Sequence, residues 1–273
     1  AQEDAHDRTL RDCGCAMLAW AGGKGQGAAM QNALYSDADL AGFYDWDNPW
    51  PADFDWFASL LEGAASVLDL GCGTGLLSVA LAARGQQVVG VDPAAAMLNI
   101  ARARLGGEGV TWVCARAQGL DLGRQFDAVV MTGHAFQSLL TAADQVAVLA
   151  TIARHLAPGG RFVFDSRNPE AREWEHWGWA ATHEVRAHPE HGMVERWNAA
   201  AKTEVPGLIE YETHYLLSDG RHLQARSRIA FPGLNALAAL IAGAGRQVNR
   251  WAGDAAGGPL RSGCPDFIPI GGL

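Results

Sequence analysis

The chain has 273 residues, 49% of them hydrophobic, which is ample for a sizeable core. It carries 21 Lys and Arg against 30 Asp and Glu, a formal net charge of -9, without a cluster of basic residues. Because nucleic-acid binding depends on clustered cations that neutralise phosphates, this balance argues against a nucleic-acid partner. No apolar run approaches the length of a membrane span, so we expect a cytoplasmic protein with no membrane partner.

The first 31 residues are rich in Gly and Ala and lack sustained periodicity. We predict a flexible N-terminal extension over residues 1–31. The cysteines are odd in number and scattered, which is typical of reduced thiols rather than a disulfide framework: Cys13, Cys15, Cys72, Cys114 and Cys264. The first two lack the spacing and the second ligand pair of a structural zinc site, so no metal is expected.

Aromatic and acidic residues crowd the segment from Tyr35 to Trp56. This composition favours an N-terminal helical segment whose aromatic side chains pack over the core. The alternative is functional, with Tyr35 or Tyr44 covering a bound ligand. Both interpretations stay open at the level of the sequence.

Strands and helices alternate regularly over the next hundred residues. Apolar runs predict strands over 66–70, 87–91, 110–114, 126–131 and 161–165, and helical spacing predicts helices over 54–61, 76–84, 97–105 and 141–156. A further helix over 235–242 and strands over 247–251 and 266–270 follow, although Pro269 weakens the last strand because it lacks an N–H. Such alternation predicts an α/β fold with a doubly wound, mostly parallel, seven-stranded sheet.

The alternation stops after Asn168-Pro169. Longer candidate strands over 194–198, 208–217 and 222–229 follow, with Ser218-Asp219-Gly220 as a hairpin turn between the last two. We therefore predict an antiparallel β insertion, a lid over residues 171–231, within a core formed by residues 32–170 and 232–273. Its Trp and His side chains either line an acceptor pocket or cover the insertion's own core.

A glycine turn follows the first predicted strand, in Val67-Leu-Asp-Leu-Gly-Cys-Gly-Thr-Gly75. Three glycines at alternate positions indicate a backbone that meets a ligand closely. The third glycine comes one residue too early for the dinucleotide fingerprint G-x-G-x-x-G. Asp92 ends the second strand, where a carboxylate can accept hydrogen bonds from both hydroxyls of a ribose, and it could also cap the following helix.

Four segments together resemble the signatures of class I S-adenosylmethionine-dependent methyltransferases: Val67–Gly75, Gly90-Val-Asp-Pro93, Phe126-Asp-Ala-Val-Val130 and Leu156-Ala-Pro-Gly-Gly160. The resemblance covers about residues 41–167 and, more loosely, 233 to the end. The insertion resembles those of small-molecule methyltransferases with an antiparallel lid. The resemblance implies a Rossmann-like methyltransferase fold and S-adenosyl-L-methionine as the cofactor.

The resemblance also implies roles for residues at the carboxyl ends of the strands. Asp69 would hold the cofactor's amino group, and Gly71, Cys72, Gly73 and Gly75 would face its methionine and ribose parts. Asp92 would bind the ribose, with Pro93 and Met97 beside the adenine and Thr132 near the sulfonium. Where many relatives have an Asp that contacts the adenine amine, this chain has Arg116-Ala117-Gln118. Either Gln118 or the backbone makes that contact, or adenine recognition is weakened.

A sulfonium already activates its methyl group, so transfer depends chiefly on holding the acceptor close, aligned and away from water. The candidate catalytic residues are His134, Tyr44 and His214, and Asp165 is a further candidate base. We expect methyl transfer to an N or O atom of a small-molecule acceptor. The alternatives are a nicotinamide-dependent oxidoreductase and a catalytically inactive cofactor-binding module. The oligomeric state stays open, a dimer included.

Overall fold

The fold is built around a central β-sheet whose middle strands are parallel. A computed structural model describes residues 32–50 and 52–272. The predicted extension 1–31, with Cys13 and Cys15, lies outside these residues. In chain order the strands are β1 Ser66–Leu70, β2 Gln87–Asp92, β3 Val110–Cys114, β4 Phe126–Met131, β5 Leu156–Phe164, β6 Ser166–Arg167, β7 Glu184–His188, β8 Gly192–Lys202, β9 Leu208–Leu217, β10 His222–Ala230, β11 Gln247–Ala252 and β12 Asp266–Gly272.

Nine α-helices accompany these strands in the described residues. They are α1 Ala33–Ser36, α2 Ala38–Ala41, α3 Tyr44–Asp47, α4 Ala52–Leu60, α5 Leu76–Ala83, α6 Ala95–Ala103, α7 Ala142–His155, α8 Trp179–Thr182 and α9 Leu234–Gly243. The segment expected to be one N-terminal helix consists of the three four-residue helices α1 to α3. In this part of the chain, no helix is long and apolar enough to cross a membrane.

Seven strands run side by side in the order β11-β12-β5-β4-β1-β2-β3, and the two-residue β6 also pairs with β12. β1 to β5 are mutually parallel, whereas β12 is antiparallel to both β5 and β11. The predicted α/β fold with a mostly parallel, doubly wound sheet is thus confirmed. The strand order reverses at β1, which pairs with β2 on one side and β4 on the other, and ligands of such sheets bind at this switch point.

Both faces of the sheet are covered. Leu68 and Leu70 of β1 belong to a buried apolar cluster that also contains Leu149 of α7 and Leu237 of α9. The alternate residue Val67 packs in a second cluster with residues of α4 and α5. Because side chains alternate along a strand, Asp69 points to the same side as Val67, toward α5.

Pro269 lies within β12, although its missing N–H had weakened the prediction of this strand. Its register partner on β11 is Trp251. On the other side, β12 pairs with β6 through Asp266 and Phe267 and with β5 only from Ile270 onward. Pro269 therefore occupies the gap between two ladders, where no donor is required on that side.

A separate four-stranded antiparallel sheet, in the order β10-β9-β8-β7, follows the parallel strands. All four strands fall between residues 171 and 231. The sequence interpretation missed β7 and predicted only the centre of β8. β7 pairs only with β8, and its Val185 is exposed, so it lacks the continuous apolar run that marks a buried strand.

Candidate active site

The glycine turn joins β1 to α5 at the switch point. Gly71, Gly73 and Gly75 all have positive φ, at 72°, 54° and 79°, a region that L side chains rarely adopt. A Cβ on Gly71 would lie 2.8 Å from Cβ of Ala135. The N–H groups of Gly71 and Cys72 donate to the carbonyl of Val91, at 2.8 and 3.1 Å, and fix the turn against β2.

Asp69 lies beneath this turn with 1% of its surface exposed. Its Oδ2 accepts a 2.6 Å hydrogen bond from Ser78 of α5, whereas Oδ1 is buried without a partner among the described residues. Burial raises the pKa of Asp69 to about 7, against the lowering effect of the Ser78 bond, and the charge of Asp92 adds to the rise. Burying a carboxylate oxygen without a hydrogen bond is energetically unfavourable. A bound ligand that donates a hydrogen bond to Oδ1 would remove this cost.

Asp92 ends β2 beside the same turn, with 8% of its surface exposed. Its Oδ2 accepts from Gly73 N at 3.0 Å, and its Oδ1 accepts from Ala94 N at 2.8 Å. The carboxylate therefore holds both the glycine turn and the Pro93 turn that precedes α6. Burial raises its pKa, and the two backbone hydrogen bonds oppose that rise. Each oxygen has a second lone pair with which to accept a further donor.

The residues expected near an adenine divide into two groups. Met97 of α6 is buried against Ala94, Tyr35 and Tyr44, next to Asp92 and Pro93. Beyond β3, however, Gln118 donates from Nε2 to Asp144 of α7 at 3.1 Å, and Ala117 O accepts from Thr151 at 2.8 Å. The Gln118 amide therefore lies against α7, and Arg116 is exposed.

Two tyrosines of the N-terminal helices cover the glycine turn. A ring carbon of Tyr44 lies 3.9 Å from the position of a Cβ on Gly73, and its hydroxyl lies equally close to that of Gly133. Tyr35 packs edge-on against Tyr44, with ring centroids 5.9 Å apart. Burial, followed by the charge of Asp92, raises the pKa of Tyr44. Both side chains therefore lie where a ligand on the turn would be covered.

Tyr211 of β9 completes this aromatic cover and was missed at the level of the sequence. It shares a hydrogen bond with Tyr35, and its charge is the largest cause that raises the pKa of Tyr35. It also packs edge-on against Trp177, at 5.6 Å between centroids. Only the alternation along β9 could have indicated that Tyr211 faces the same side as the buried Ile209 and Thr213.

Helix α3 connects the glycine turn to the antiparallel sheet. Asp45 accepts from the hydroxyl of Thr74 at 2.5 Å and pairs with Arg104, which also donates to Thr74 O at 3.1 Å. Two residues on, Asp47 pairs with Arg196 of β8 at 2.9 Å and accepts from the hydroxyl of Tyr215 of β9. Tyr44 therefore lies on a helix that is bonded both to the glycine turn and to strands β8 and β9.

The carboxyl ends of β4 and β5 bring a histidine and two carboxylates together. Thr132 and Asp165 are buried, and His134 donates its backbone N–H to Asp165 Oδ1 at 2.9 Å. The ring atom Nε2 of His134 lies 3.0 Å from Asp266 Oδ1 and 3.8 Å from Asp165 Oδ2. Burial raises the pKa of Asp165, the charge of His134 lowers it, and Asp266 raises it.

The sequence interpretation did not identify Asp266 as a site residue. It is the first residue of β12, which runs antiparallel to β5. An antiparallel strand begins at the edge where its parallel neighbours end, so the first residue of β12 lies with the last residues of β4 and β5. The direction of β12 in the sheet is therefore the feature that could have identified Asp266 as a site residue.

His214, a further candidate base, is not brought to this edge. Its ring stacks on Trp197, at 4.8 Å between centroids, and its Nδ1 lies 3.2 Å from Nε2 of His222. Tyr215, the next residue along β9, stacks instead on Phe43 beside α3. Since successive side chains point to opposite faces, His214 lies on the face of the small sheet away from the candidate site.

The fold and the site define a class of protein. Residues 67–160 match the family model described as a methyltransferase domain, and these residues run from the first residues of β1 through the glycine turn and Asp92 to the middle of β5. The resemblance to class I S-adenosylmethionine-dependent methyltransferases is confirmed. The match ends before the antiparallel insertion begins.

The chain is similar to several characterised methyltransferases. It is 38% identical over 104 residues to the cypemycin N-terminal methyltransferase of Streptomyces sp, covering 38% of this chain and 42% of the relative. It is 36% identical over 128 residues to the ubiquinone biosynthesis O-methyltransferase of Stutzerimonas stutzeri (strain A1501), covering 44% and 53%. The chain thus spans about half or less of the length of these relatives.

A solved structure matches far more of the fold. The CcbJ methyltransferase from Streptomyces caelestis superposes with a TM-score of 0.72, covering 88% of this chain and 98% of that one. The sequence identity is 22%. At this identity the comparison establishes a shared fold and nothing finer.

Proposed function

We propose that this protein transfers the methyl group of S-adenosyl-L-methionine to an N or O atom of a small-molecule acceptor. The observation that carries the proposal is the unpartnered Asp69 Oδ1, buried beneath a turn of three positive-φ glycines and next to Asp92. A cofactor with an ammonium at one end and two ribose hydroxyls in the middle matches this donor and acceptor pattern.

The residues present fit that cofactor. Asp69 Oδ1 would accept from its ammonium group, and the free lone pairs of Asp92 would accept from its ribose hydroxyls. The backbone of Gly71 to Gly73 would lie against it without side chains in the way. When bound, the cofactor supplies a methyl group that its sulfonium has already activated.

The chain's own contribution is to position the acceptor and exclude water. Tyr35, Tyr44 and Tyr211 cover the glycine turn, and α3 fastens that cover to the antiparallel sheet. His134 lies at the edge of the site, where the acceptor's proton must leave. The relatives are named for N- and O-methylation, and both acceptor atoms stay within the proposal.

Calorimetric titration of the full chain tests the cofactor. S-adenosylmethionine and S-adenosylhomocysteine should bind, and NAD should not, because the third glycine is misplaced for a dinucleotide. The folded protein's failure to bind either sulfur compound at millimolar concentration would overturn the proposal. Binding of NAD alone would favour the oxidoreductase instead.

A further inference from the structure

His134 is held at two points by carboxylates from two different strands. Asp165, which directly follows β5, accepts its backbone N–H at 2.9 Å. Asp266, at the start of β12, lies 3.0 Å from its ring atom Nε2. Backbone and ring are thus fixed independently, by residues 101 positions apart in the chain.

The backbone of His134 supports the same interpretation. Its φ of 58° is left-handed, and among the described residues only Arg172 is another non-glycine with positive φ. This conformation costs an ordinary residue roughly 1 kcal/mol or more, and it persists where surrounding contacts impose it. The hydrogen bond from its backbone N–H to the buried Asp165 is such a contact.

The contact with Asp266 decides which ring nitrogen carries the proton. A carboxylate only accepts, so Nε2 donates to Asp266 and the neutral ring leaves its lone pair on Nδ1. Nδ1 has no hydrogen-bond partner among the residues that the structure describes. The His134 side chain is 22% exposed, so solvent or a bound molecule can reach it.

We propose that Nδ1 of His134 accepts the acceptor's proton and that Asp266 is the positioning residue that holds the ring in this tautomer. The inference rests on the proposed function. In the step, the acceptor's N or O atom forms a bond to the methyl carbon while the carbon–sulfur bond breaks and its electron pair stays on sulfur. The proton of the acceptor passes to Nδ1, and the positive charge of the sulfonium ends on the imidazolium.

This arrangement narrows the class of acceptor. A proton acceptor is useful only when the methylated atom carries a proton to lose, as a hydroxyl or a protonated amine does. A thioether sulfur carries no such proton and would leave His134 and Asp266 without a role. The acceptor is therefore a hydroxyl compound or an amine.

The charged and titratable groups that face His134 come from four elements. Asp165 follows β5 and Asp266 begins β12, as above. Arg167 of β6 is electrostatically coupled to Asp165, and so is Tyr44 of α3, whose hydroxyl lies near Gly133. The two carboxylates are the charged groups that lie closest to the ring, at 3.0 and 3.8 Å from Nε2.

Nitrogen NMR of the full chain, labelled with ¹⁵N-histidine and saturated with S-adenosylhomocysteine, tests the proposal without an acceptor. The variant His134→Gln assigns the signals. We expect the neutral His134 ring to show protonated Nε2 and unprotonated Nδ1. Asp266→Asn, which loses the charge but retains an oxygen that accepts, should leave the proton on Nε2. Asp266→Leu, which also removes the acceptor, should mix the two tautomers.

A matched control lies on the small sheet, where His183 Nε2 contacts Glu195 Oε1 at 2.9 Å. Glu195→Leu, which removes that acceptor, should mix the two tautomers of His183 and leave the His134 ring unchanged. A His134 ring protonated at Nδ1 in the native protein would overturn the proposal, and this measurement needs no folded variant. An unchanged tautomer in a folded Asp266→Leu would do the same. Failure of S-adenosylhomocysteine to bind would instead count against the proposed function.

Discussion

Replacement of Asp69 by Asn should stabilise the free protein above pH 7 while it weakens cofactor binding. Burial raises the pKa of Asp69 from 3.8 to about 7, which corresponds to roughly 4 kcal/mol at about 1.36 kcal/mol per pH unit. Because the folded-state pKa is the higher one, the penalty is absent below about pH 4, grows through pH 4 to 7 and is complete above it. Asn retains an oxygen for Ser78 and carries no charge, so it escapes this penalty.

Denaturant unfolding at pH 4 and pH 8 measures the stability difference. Asp69→Asn should match the native protein at the lower pH and exceed it by up to about 4 kcal/mol at the higher one. Calorimetry with S-adenosylhomocysteine measures the functional cost. At pH 6 binding should release roughly 0.9 protons from Asp69, and affinity should fall about tenfold per pH unit below 7.

Two variants separate the contributions. Ser78→Ala removes the hydrogen bond that lowers the pKa of Asp69, so the pH midpoint of binding should move upward. Asp69→Asn retains any proton release that comes from Asp92, whose pKa is also raised. If native binding is independent of pH from 5.5 to 8 and releases no proton, Asp69 is not the partner of the ligand's ammonium group.

Three further predictions concern the turn and α3. Asp92→Ala should weaken S-adenosylhomocysteine binding by about 100-fold or more, from two lost charge-assisted hydrogen bonds, while circular dichroism shows the fold intact; unchanged affinity would mean that the ribose contact is misplaced. Gly75→Ala should lower the free energy of unfolding by about 2 to 4 kcal/mol, because a Cβ would overlap Trp112 and approach Ala101 at 2.9 Å. The control Gly63→Ala, at the same φ of 79° but in open space, should lower it by only about 1 kcal/mol. Equal losses of stability would refute the steric account. Tyr215→Phe, which removes the hydroxyl from Asp47, should cost about 1 kcal/mol in denaturant unfolding; an unchanged free energy of unfolding would show that this bond does not fasten α3.

Local signals accounted for the parallel half of the fold. The apolar runs before Gly71 and Asp92 are buried strands, and the alternate glycines do take positive φ. These features depend on residues that are close together in the chain, so a short stretch of sequence is enough to predict them. His214 lies with Glu210 and Glu212 on one face of β9, whereas Ile209, Tyr211, Tyr215 and Leu217 lie on the other. This alternation already indicated that His214 and Tyr211 point to opposite faces.

Contacts between segments that are distant in the chain are not marked by any local sequence pattern. Asp266 meets His134 only because β12 returns antiparallel beside β5. Tyr211 meets Tyr35 only because the small sheet packs on the N-terminal helices. Each contact joins segments more than a hundred residues apart, and the pairing of sheets, rather than any local pattern, brings them together.

Helix α3 links the glycine turn to the antiparallel sheet. A four-residue helix is not stable alone, so its position depends on Asp45 at the glycine turn and on Asp47 at the antiparallel sheet. Tyr44, between Phe43 and Asp45, shares that position. A ligand that packs beneath Tyr44 would thus favour the arrangement in which Asp47 is bonded to Arg196 and Tyr215, and the antiparallel sheet would be held most firmly when the glycine turn is filled. The same contact that covers the turn thereby supports the sheet from which an acceptor pocket would be built.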